Sequence, residues 1–400
     1  MKKISLLSAF LLLLGLTATA QEKFFVDEVL VPQGRQGMME IKFQFNEGHD
    51  YVSYQAKVNL PEGISFVLDD YDLPTVFLGD GQPSALFTLA LHPTGHFVTC
   101  YSNPSTPIAA NTGVLVRIPV KADESLAVGT VLNGTLTNVE CSHIDAIAAP
   151  MDNVSFTVKV TDEIVLDEDS PIEPESTNGA ACNVRVKRTI KAGEWSTLCL
   201  PFDMTEGEFK SIFGNDVQVA YYTGYGTEKE GTDVTGITIN FDEDDLSEGF
   251  AGNYPYLIKT SKDVTEFTTT ATIEPDDAME SITTGKGANR KTGKFIGTYQ
   301  AGTVVPANSL FLSGNKFWYS AGKTKMKAFR AYFTLDDVLA EATQASARIM
   351  LNIDGETTGI NENDNENEND GSVYDLLGRR VENPAKKGLY IRKGKKEVVH

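Results

Sequence analysis

Apolar and polar residues alternate with a period of two along much of this chain. In the clearest stretch, Val52, Tyr54, Ala56, Val58 and Leu60 interleave with Ser53, Gln55, Lys57 and Asn59. A strand places these two sets on opposite faces, so one set packs inward and the other meets solvent. Pro61-Glu62-Gly63 ends the run. Comparable runs are Phe24–Val31, Met38–Phe45, Ala85–His92, His96–Tyr101, Gly113–Val120, Thr130–Leu136 and Val154–Val160, separated by turn signals such as Gly79-Asp80-Gly81 and Pro93-Thr94-Gly95. Many short strands with regularly spaced turns predict a β-sandwich or jelly roll.

The pattern resumes further along the chain. Val184 and Val186 alternate with Arg185 and Lys187, and Ile237, Ile239 and Phe241 alternate with Thr238 and Asn240. Strands are also expected within Trp195–Phe202, Val217–Tyr222, Tyr256–Lys259, Phe267–Ile273, Lys294–Tyr299, Phe317–Ser320, Lys327–Phe333 and Arg348–Ile353. Two short helices interrupt them. Thr205 caps Glu206–Phe213, with Glu208 completing a capping box. Leu335–Ala342 carries Asp336 and Asp337 at its start, where the helix dipole favours them. Near the end, Val373–Val381 and Gly388–Val399 read as strands. The expected fold class is all-β: an N-terminal β-sandwich, a second β-rich domain and a small C-terminal β tail.

Two tracts divide these blocks. Residues 162–180 hold seven acidic residues with Pro171 and Pro174, and residues 355–371 contain an unbroken Asn/Glu/Asp run from Asn361 to Asp370. Neither has enough apolar surface to offset the entropy of ordering, so both read as linkers. The resulting division is 1–20 leader, 22–161 sandwich, 162–180 acidic linker, 181–354 β-rich module, 355–371 Asn/Glu/Asp-rich linker and 372–400 tail.

The leader has Lys2 and Lys3, an apolar run from Leu6 to Leu16 and the small-residue site Ala18-Thr19-Ala20. That is the form of a cleavable signal peptide, so an extracellular or outer-surface location is expected. No second apolar run long enough to span a bilayer is seen. Losing Lys2 and Lys3 moves the formal charge from −20 to −22. Such acidity argues against nucleic acid as a partner and suits a protein kept soluble outside the cell. The tail opposes this trend, with eight basic residues against three acidic ones in 372–400. Export permits disulfides. The economical pairs are Cys100–Cys141 and Cys182–Cys199; the alternative is buried free thiols, which Leu198-Cys199-Leu200 favours.

No catalytic residue, cofactor site or metal site is assigned from motifs. The chain lacks a Gly-x-Ser-x-Gly elbow, a His-Glu-x-x-His pair, a phosphate-binding Gly-x-x-x-x-Gly-Lys and a Cys-x-x-Cys. His92 and His96 flank a turn rather than share a helical face. The acidic groups Asp69/Asp70/Asp72, Asp242/Glu243/Asp244/Asp245 and Asp276/Asp277 are turn residues whose hard oxygens suit Ca²⁺. A calcium loop through Glu366, Glu368 and Asp370 fails, because its twelfth position is Leu377. The aromatic groups Tyr221/Tyr222/Tyr225, Tyr254/Tyr256 and Phe317/Trp318/Tyr319 have the chemistry to stack on sugar rings, with core packing as the simpler reading.

The stretch Val52–Gly63, with Gly113–Val120 and Gly129–Glu140, resembles the strands and turns of cohesin-like and related carbohydrate-binding-like sandwiches. That likeness implies a non-catalytic binding role toward a protein module or a polysaccharide. Trp195–Phe202, Pro306–Leu312 and Phe329–Phe333 resemble a β-rich module of secreted and surface proteins of anaerobic bacteria. Val373–Val381 with Lys387–Lys396 looks like a C-terminal sorting domain of the type IX secretion kind, which implies contact with outer-membrane export machinery. The expected function is a secreted or surface-attached, non-catalytic binding or scaffolding protein that recognises a polysaccharide or a secreted protein partner. The alternatives are a glycan-degrading hydrolase with an unlocated carboxylate pair, and a structural adhesin subunit.

Overall fold

The computed structural model describes residues 21–80, 86–230, 233–284, 290–335 and 348–358, together with tail strands at 373–374, 380–381, 388–392 and 395–399. The described residues are all-β apart from one short helix, and the chain divides into two compact units, residues 1–165 and 166–400. The leader lies outside the described residues.

The first unit contains β1 (Lys23–Phe25), β2 (Val29–Pro32), β3 (Gln36–Gln44), β4 (Tyr51–Asn59), β5 (Ile64–Phe66), β6 (Phe77–Leu78), β7 (Phe87–Leu91), β8 (Phe97–Ser102), β9 (Thr112–Ala122), β10 (Val131–His143), β11 (Ala148–Pro150) and β12 (Val154–Thr161). They form two sheets. One runs β1-β3-β9-β5 with β6 added to β9; the other runs β2-β12-β10-β4-β8-β7 with β11 added to β10. The inward set of each strand's alternation fills one shared core: Met39, Ile41 and Phe43 of β3 and Leu115 of β9 meet Tyr54, Ala56 and Val58 of β4, Val98 of β8 and Leu136 of β10. The Tyr54 hydroxyl donates to the Leu115 carbonyl at 3.2 Å, tying the sheets together. This is a β-sandwich.

Three details differ from the sequence reading. The single strand expected over Phe24–Val31 is two strands in two sheets, because the polar pair Asp27-Glu28 marks the crossing. β10 continues past Leu136 to His143, since Asn138 at φ 53° makes a bulge that restores the register. β9 is buried on both faces from Val114 to Val120, because residues 66–80 fold back over its outer side.

The second unit contains the end of β13 (Glu163–Asp167), then β14 (Cys182–Ile190), β15 (Ser196–Leu198), α1 (Glu206–Phe213), β16 (Gln218–Glu230), β17 (Asp233–Glu243), β18 (Tyr256–Lys259) and β19 (Val264–Ala271). It continues with β20 (Met279–Thr284), β21 (Lys291–Thr298), β22 (Thr303–Val304), β23 (Leu310–Ser313), β24 (Lys316–Tyr319), β25 (Lys325–Met326), β26 (Arg330–Leu335), β27 (Arg348–Ile353) and β28 (Glu356–Thr358). A six-stranded sheet, β15-β18-β16-β17-β27-β28, packs on a five-stranded one, β20-β21-β26-β23-β24. Tyr222, Ile239, Phe241 and Leu351 from the first meet Phe295, Leu310 and Phe333 from the second. Phe295 and Phe333 stack in parallel with centroids 4.3 Å apart. Gly293 is required here: a Cβ would lie 2.2 Å from the Tyr222 hydroxyl oxygen.

The helix is the one the capping box predicts. Thr205 Oγ1 accepts from the Glu208 amide, and the Glu208 carboxylate accepts from the Thr205 amide at 2.9 Å. Phe209 and Phe213 bury its inner face against Phe250 and Phe267. Of the second expected helix, Leu335–Ala342, Leu335 is the last residue of strand β26 and the rest lies outside the described residues.

The acidic tract 162–180 is not a free tether. Glu163–Asp167 forms β13, Leu166 is buried, and the Glu168 carboxylate is 5% exposed. That carboxylate accepts from Arg330 at 2.7 Å, Lys327 at 3.2 Å and Arg188 at 3.4 Å. Arg188 is fully buried, and its guanidinium also donates to the carbonyls of Thr189, Thr197 and Phe329. Burial alone would raise the Glu168 pKa, but Arg330, Arg188 and Lys327 outweigh it and hold the carboxyl below its ordinary value. Burial lowers the Arg188 pKa to about 9, which still leaves it charged at neutral pH. The second acidic tract also begins in a strand, β28 within 355–358, and the rest of it lies outside the described residues. In the tail, β29 (Val373–Tyr374), β30 (Arg380–Val381), β31 (Gly388–Arg392) and β32 (Lys395–Val399) form a sheet of order β30-β29-β31-β32.

Candidate binding face

The outer face of the β2-β12-β10-β4-β8-β7 sheet displays the polar half of each strand's alternation. Register fixes the rows. Thr88, Tyr101, Ser53 and Ser142 lie side by side across β7, β8, β4 and β10. Ala90, Thr99, Gln55 and Glu140 form the next row, then Phe97, Lys57 and Thr137, then Asn59, Thr135 and Ser155. Most of these side chains are short hydroxyls or amides. Their spacing lets them organise one another: Asn59 Nδ2 donates to Thr135 Oγ1 at 3.2 Å and to Thr137 Oγ1 at 3.1 Å, and Asn103 Nδ2 donates to Thr88 Oγ1 at 3.1 Å.

At one end the face gains apolar weight. Tyr101 is 50% exposed, and Ile144 and Ile147 stand out on the β10–β11 hairpin. That hairpin is held by the His143 amide donating to the Ile147 carbonyl, and by the His143 ring against the Asp50 carboxylate. The His143 hydrogen bond draws the Asp50 pKa down.

The opposite sheet has a different outer surface. Glu40 and Asp80 clasp Arg117 at 3.0 and 2.8 Å, and Asp27 reaches Lys42 at 2.8 Å. The hairpin over Val67–Thr75 is built by Asp69, whose Oδ1 accepts from the Tyr71 and Leu73 amides at 2.9 and 3.0 Å. It presents Leu68, Tyr71 and Leu73 to solvent, with Tyr71 83% exposed. Sequence reading had seen only the acids of this loop.

The proposed cystines do not form; all four cysteines are free thiols. Cys100 on β8 and Cys141 on β10 both sit opposite Tyr54, on either side of β4. Two strand spacings, about 9.5 Å, separate their backbones, beyond the roughly 7 Å that a disulfide spans. Cys182 Sγ donates to the Ala180 carbonyl, whereas Cys199 lies buried against the Tyr299 hydroxyl at 3.6 Å. Burial pushes the Cys100 thiol up to about 11 and Cys199 to about 12, so both are poor nucleophiles.

The other sequence candidates separate. Tyr222, Tyr225, Tyr256 and Phe317 are core residues, whereas Trp318 is 52% and Tyr319 41% exposed. Glu243, Asp244 and Asp245 line an open groove of about 810 Å³ together with Asp203, Glu208 and Tyr221. Their oxygens are engaged in shaping it: Asp244 accepts from the Leu246 amide, Asp245 from Ser247 and Asp203 from Gly252. Asp276 and Asp277 border a second groove of about 510 Å³. His92 and His96 flank the β7–β8 turn; His92 contacts Thr99 Oγ1 and His96 packs on Phe66. Among the described residues, no three His, Cys, Asp or Glu side chains gather as a metal-binding set, and no helix is long and apolar enough to cross a membrane.

No protein-family model and no curated protein matches this chain. Solved structures that resemble it include cohesins. A non-cellulosomal cohesin from the archaeon Archaeoglobus fulgidus is 14% identical, covering 36% of this chain and 92% of its own, with a TM-score of 0.28. The seventh ScaB type I cohesin from Pseudobacteroides cellulosolvens is 19% identical, covering 35% and 93%, also at 0.28. The cohesin module of a Clostridium perfringens family 33 glycoside hydrolase is 12% identical, covering 35% and 95%, at 0.27. At these scores neither partner nor ligand follows from the likeness; the sandwich rests on the strand order and core described above.

Proposed function

We propose that this is an exported, non-catalytic binding protein whose first unit docks a folded, secreted protein module on the β7-β8-β4-β10 face. The observation that supports this most is the chemistry of that face. In a chain of net charge −20 it carries Ser53, Gln55, Asn59, Thr88, Thr99, Thr135 and Thr137, with Lys57 and Glu140 as its central charges. Interface centres are depleted in charge and enriched in tyrosine. Short side chains lose little rotamer entropy on docking, and Tyr101, Ile144 and Ile147 supply an apolar anchor at one end. The outer surface of the opposite sheet is instead charged around Glu40, Lys42, Asp80 and Arg117, and its exposed Leu68, Tyr71 and Leu73 stand on the Val67–Thr75 hairpin rather than on a neutral strand surface. The leader would direct export, and the basic tail would engage the export or attachment machinery.

The test immobilises the mature full-length chain and passes over it the proteins exported by its own organism. A protein retained by the wild type, lost with the Gln55→Arg/Thr99→Arg double variant and kept with Gln44→Arg on the opposite sheet supports the reading. Equal retention by all three, or no retention, overturns it.

A further inference from the structure

The outer face of the five-stranded sheet in the second unit carries an apolar row that no single stretch of sequence contains. Met279 on β20 pairs with Ile296 on β21. Ile296 pairs with Tyr332 on β26, Tyr332 with Phe311 on β23, and Phe311 with Trp318 on β24. The inward neighbours Phe295, Leu310, Phe317 and Phe333 fill the core, so alternation turns all five row residues to the outside. The row crosses every strand of the sheet, a length of about 19 Å at the usual interstrand spacing. Its ends are open, with Met279 45% and Trp318 52% exposed, and its middle is half-buried.

The borders of the row narrow what it can take. At the Met279–Tyr332 end it forms one wall of the 510 Å³ groove, and Asp276, Asp277 and Thr303 line that groove as hydrogen-bonding groups. Along the sheet its other border holds Ser281, Lys294 and Thr334, cross-strand neighbours on the same outer face. With Glu173 also lining the groove, three carboxylates stand against the single Lys294, so the borders disfavour a polyanion. Both borders hydrogen-bond readily to neutral hydroxyls. An apolar row with three aromatic side chains between hydrogen-bonding edges matches a chain whose units have apolar faces and hydroxyl rims. A folded protein is the poorer match, since an exposed apolar strip this narrow lacks a surrounding neutral surface like that of the first unit's face.

We infer that the Met279–Ile296–Tyr332–Phe311–Trp318 row is a polysaccharide-binding platform for a neutral glycan chain, with Tyr332, Phe311 and Trp318 as stacking residues. It is independent of the protein-docking face of the first unit.

The experiment is affinity electrophoresis of the mature full-length chain through gels containing hydroxyethyl cellulose, xyloglucan, arabinoxylan, mannan or laminarin, with polygalacturonate as the anionic comparison. Retardation by at least one neutral polymer is expected, weakened at least tenfold in Trp318→Ala and in Tyr332→Ala and unchanged in Tyr101→Ala of the first unit. The protein has two tryptophans, and Trp195 is buried. A Trp195→Phe variant therefore reports on Trp318 by fluorescence, which should shift to the blue as the retarding polymer is added. A matching calorimetric transition for wild type and Tyr332→Ala shows that lost binding is not lost folding. Retardation by polygalacturonate alone, retention undiminished in the aromatic variants, or no retardation by any neutral polymer would each overturn the inference. So would a concentration-dependent dimer that Trp318→Ala dissolves, because a second copy would then be the occupant.

Discussion

The two exposed sheet faces share one backbone geometry and differ in what the outward half of the alternation contains. On β4, β8 and β10 of the first unit that half is Ser53, Gln55, Thr99 and Thr137, a surface of short polar side chains that can hydrogen-bond to a partner. On β21, β23 and β26 of the second unit it is Ile296, Phe311 and Tyr332, a half-buried apolar row. The pleat determines which residues emerge together, and the side chains placed there decide whether the surface suits a broad protein contact or a narrow stacked chain. The inward halves, by contrast, are interchangeable in kind: both are tight aliphatic and aromatic cores.

The sharpest way to break this comparison is to alter the two sides of a single strand. Phe333→Ala removes a fully buried ring stacked on Phe295 and should cost the second unit about 3–5 kcal/mol. Tyr332→Ala, one residue away on the outside, should cost under about 1 kcal/mol. Differential scanning calorimetry reads both, and equal losses would mean that the row belongs to the core.

Next in size is Glu168→Gln, which should destabilise the second unit by about 2–3 kcal/mol by uncoupling Arg188, Lys327 and Arg330. The same carboxyl sets a pH dependence. Its pKa is lower folded than unfolded, so its stabilisation is present above the unfolded value and is lost as pH falls through the folded one. In acid titrations followed by calorimetry, Glu168→Gln should flatten the decline of the second unit's transition and leave the first unit's unchanged. A smaller effect is expected on the polar face of the first unit. Asn59→Ala deletes its bonds to Thr135 and Thr137 and should cost about 0.5–1 kcal/mol by urea titration. The smallest is Gln55→Arg, within about 0.5 kcal/mol of wild type in the same titration, so any loss of partner binding would be a property of the surface.

Local patterns were legible in the sequence wherever one strand or one turn sufficed to state them. Val52–Leu60 announces β4 by alternation alone, and Thr205 with Glu208 announces the start of the helix. What depends on distant partners was not legible. Glu168 looks like another solvated acid in a run of acids, and its burial follows from Arg188, Lys327 and Arg330, between 20 and 162 residues away. The row from Met279 to Trp318 exists through the registers of five strands. Of its members, sequence reading singled out only Trp318, beside Phe317 and Tyr319, which have other surroundings. The Cys100–Cys141 bridge was the economical pairing by domain, and it fails because β4 runs between the two strands.

That last arrangement bears on how the protein is made. With β4 holding its two thiols apart, the first unit has no disulfide to close between Cys100 and Cys141 once its strands have paired. Its fold should therefore be the same in reducing and in oxidising surroundings.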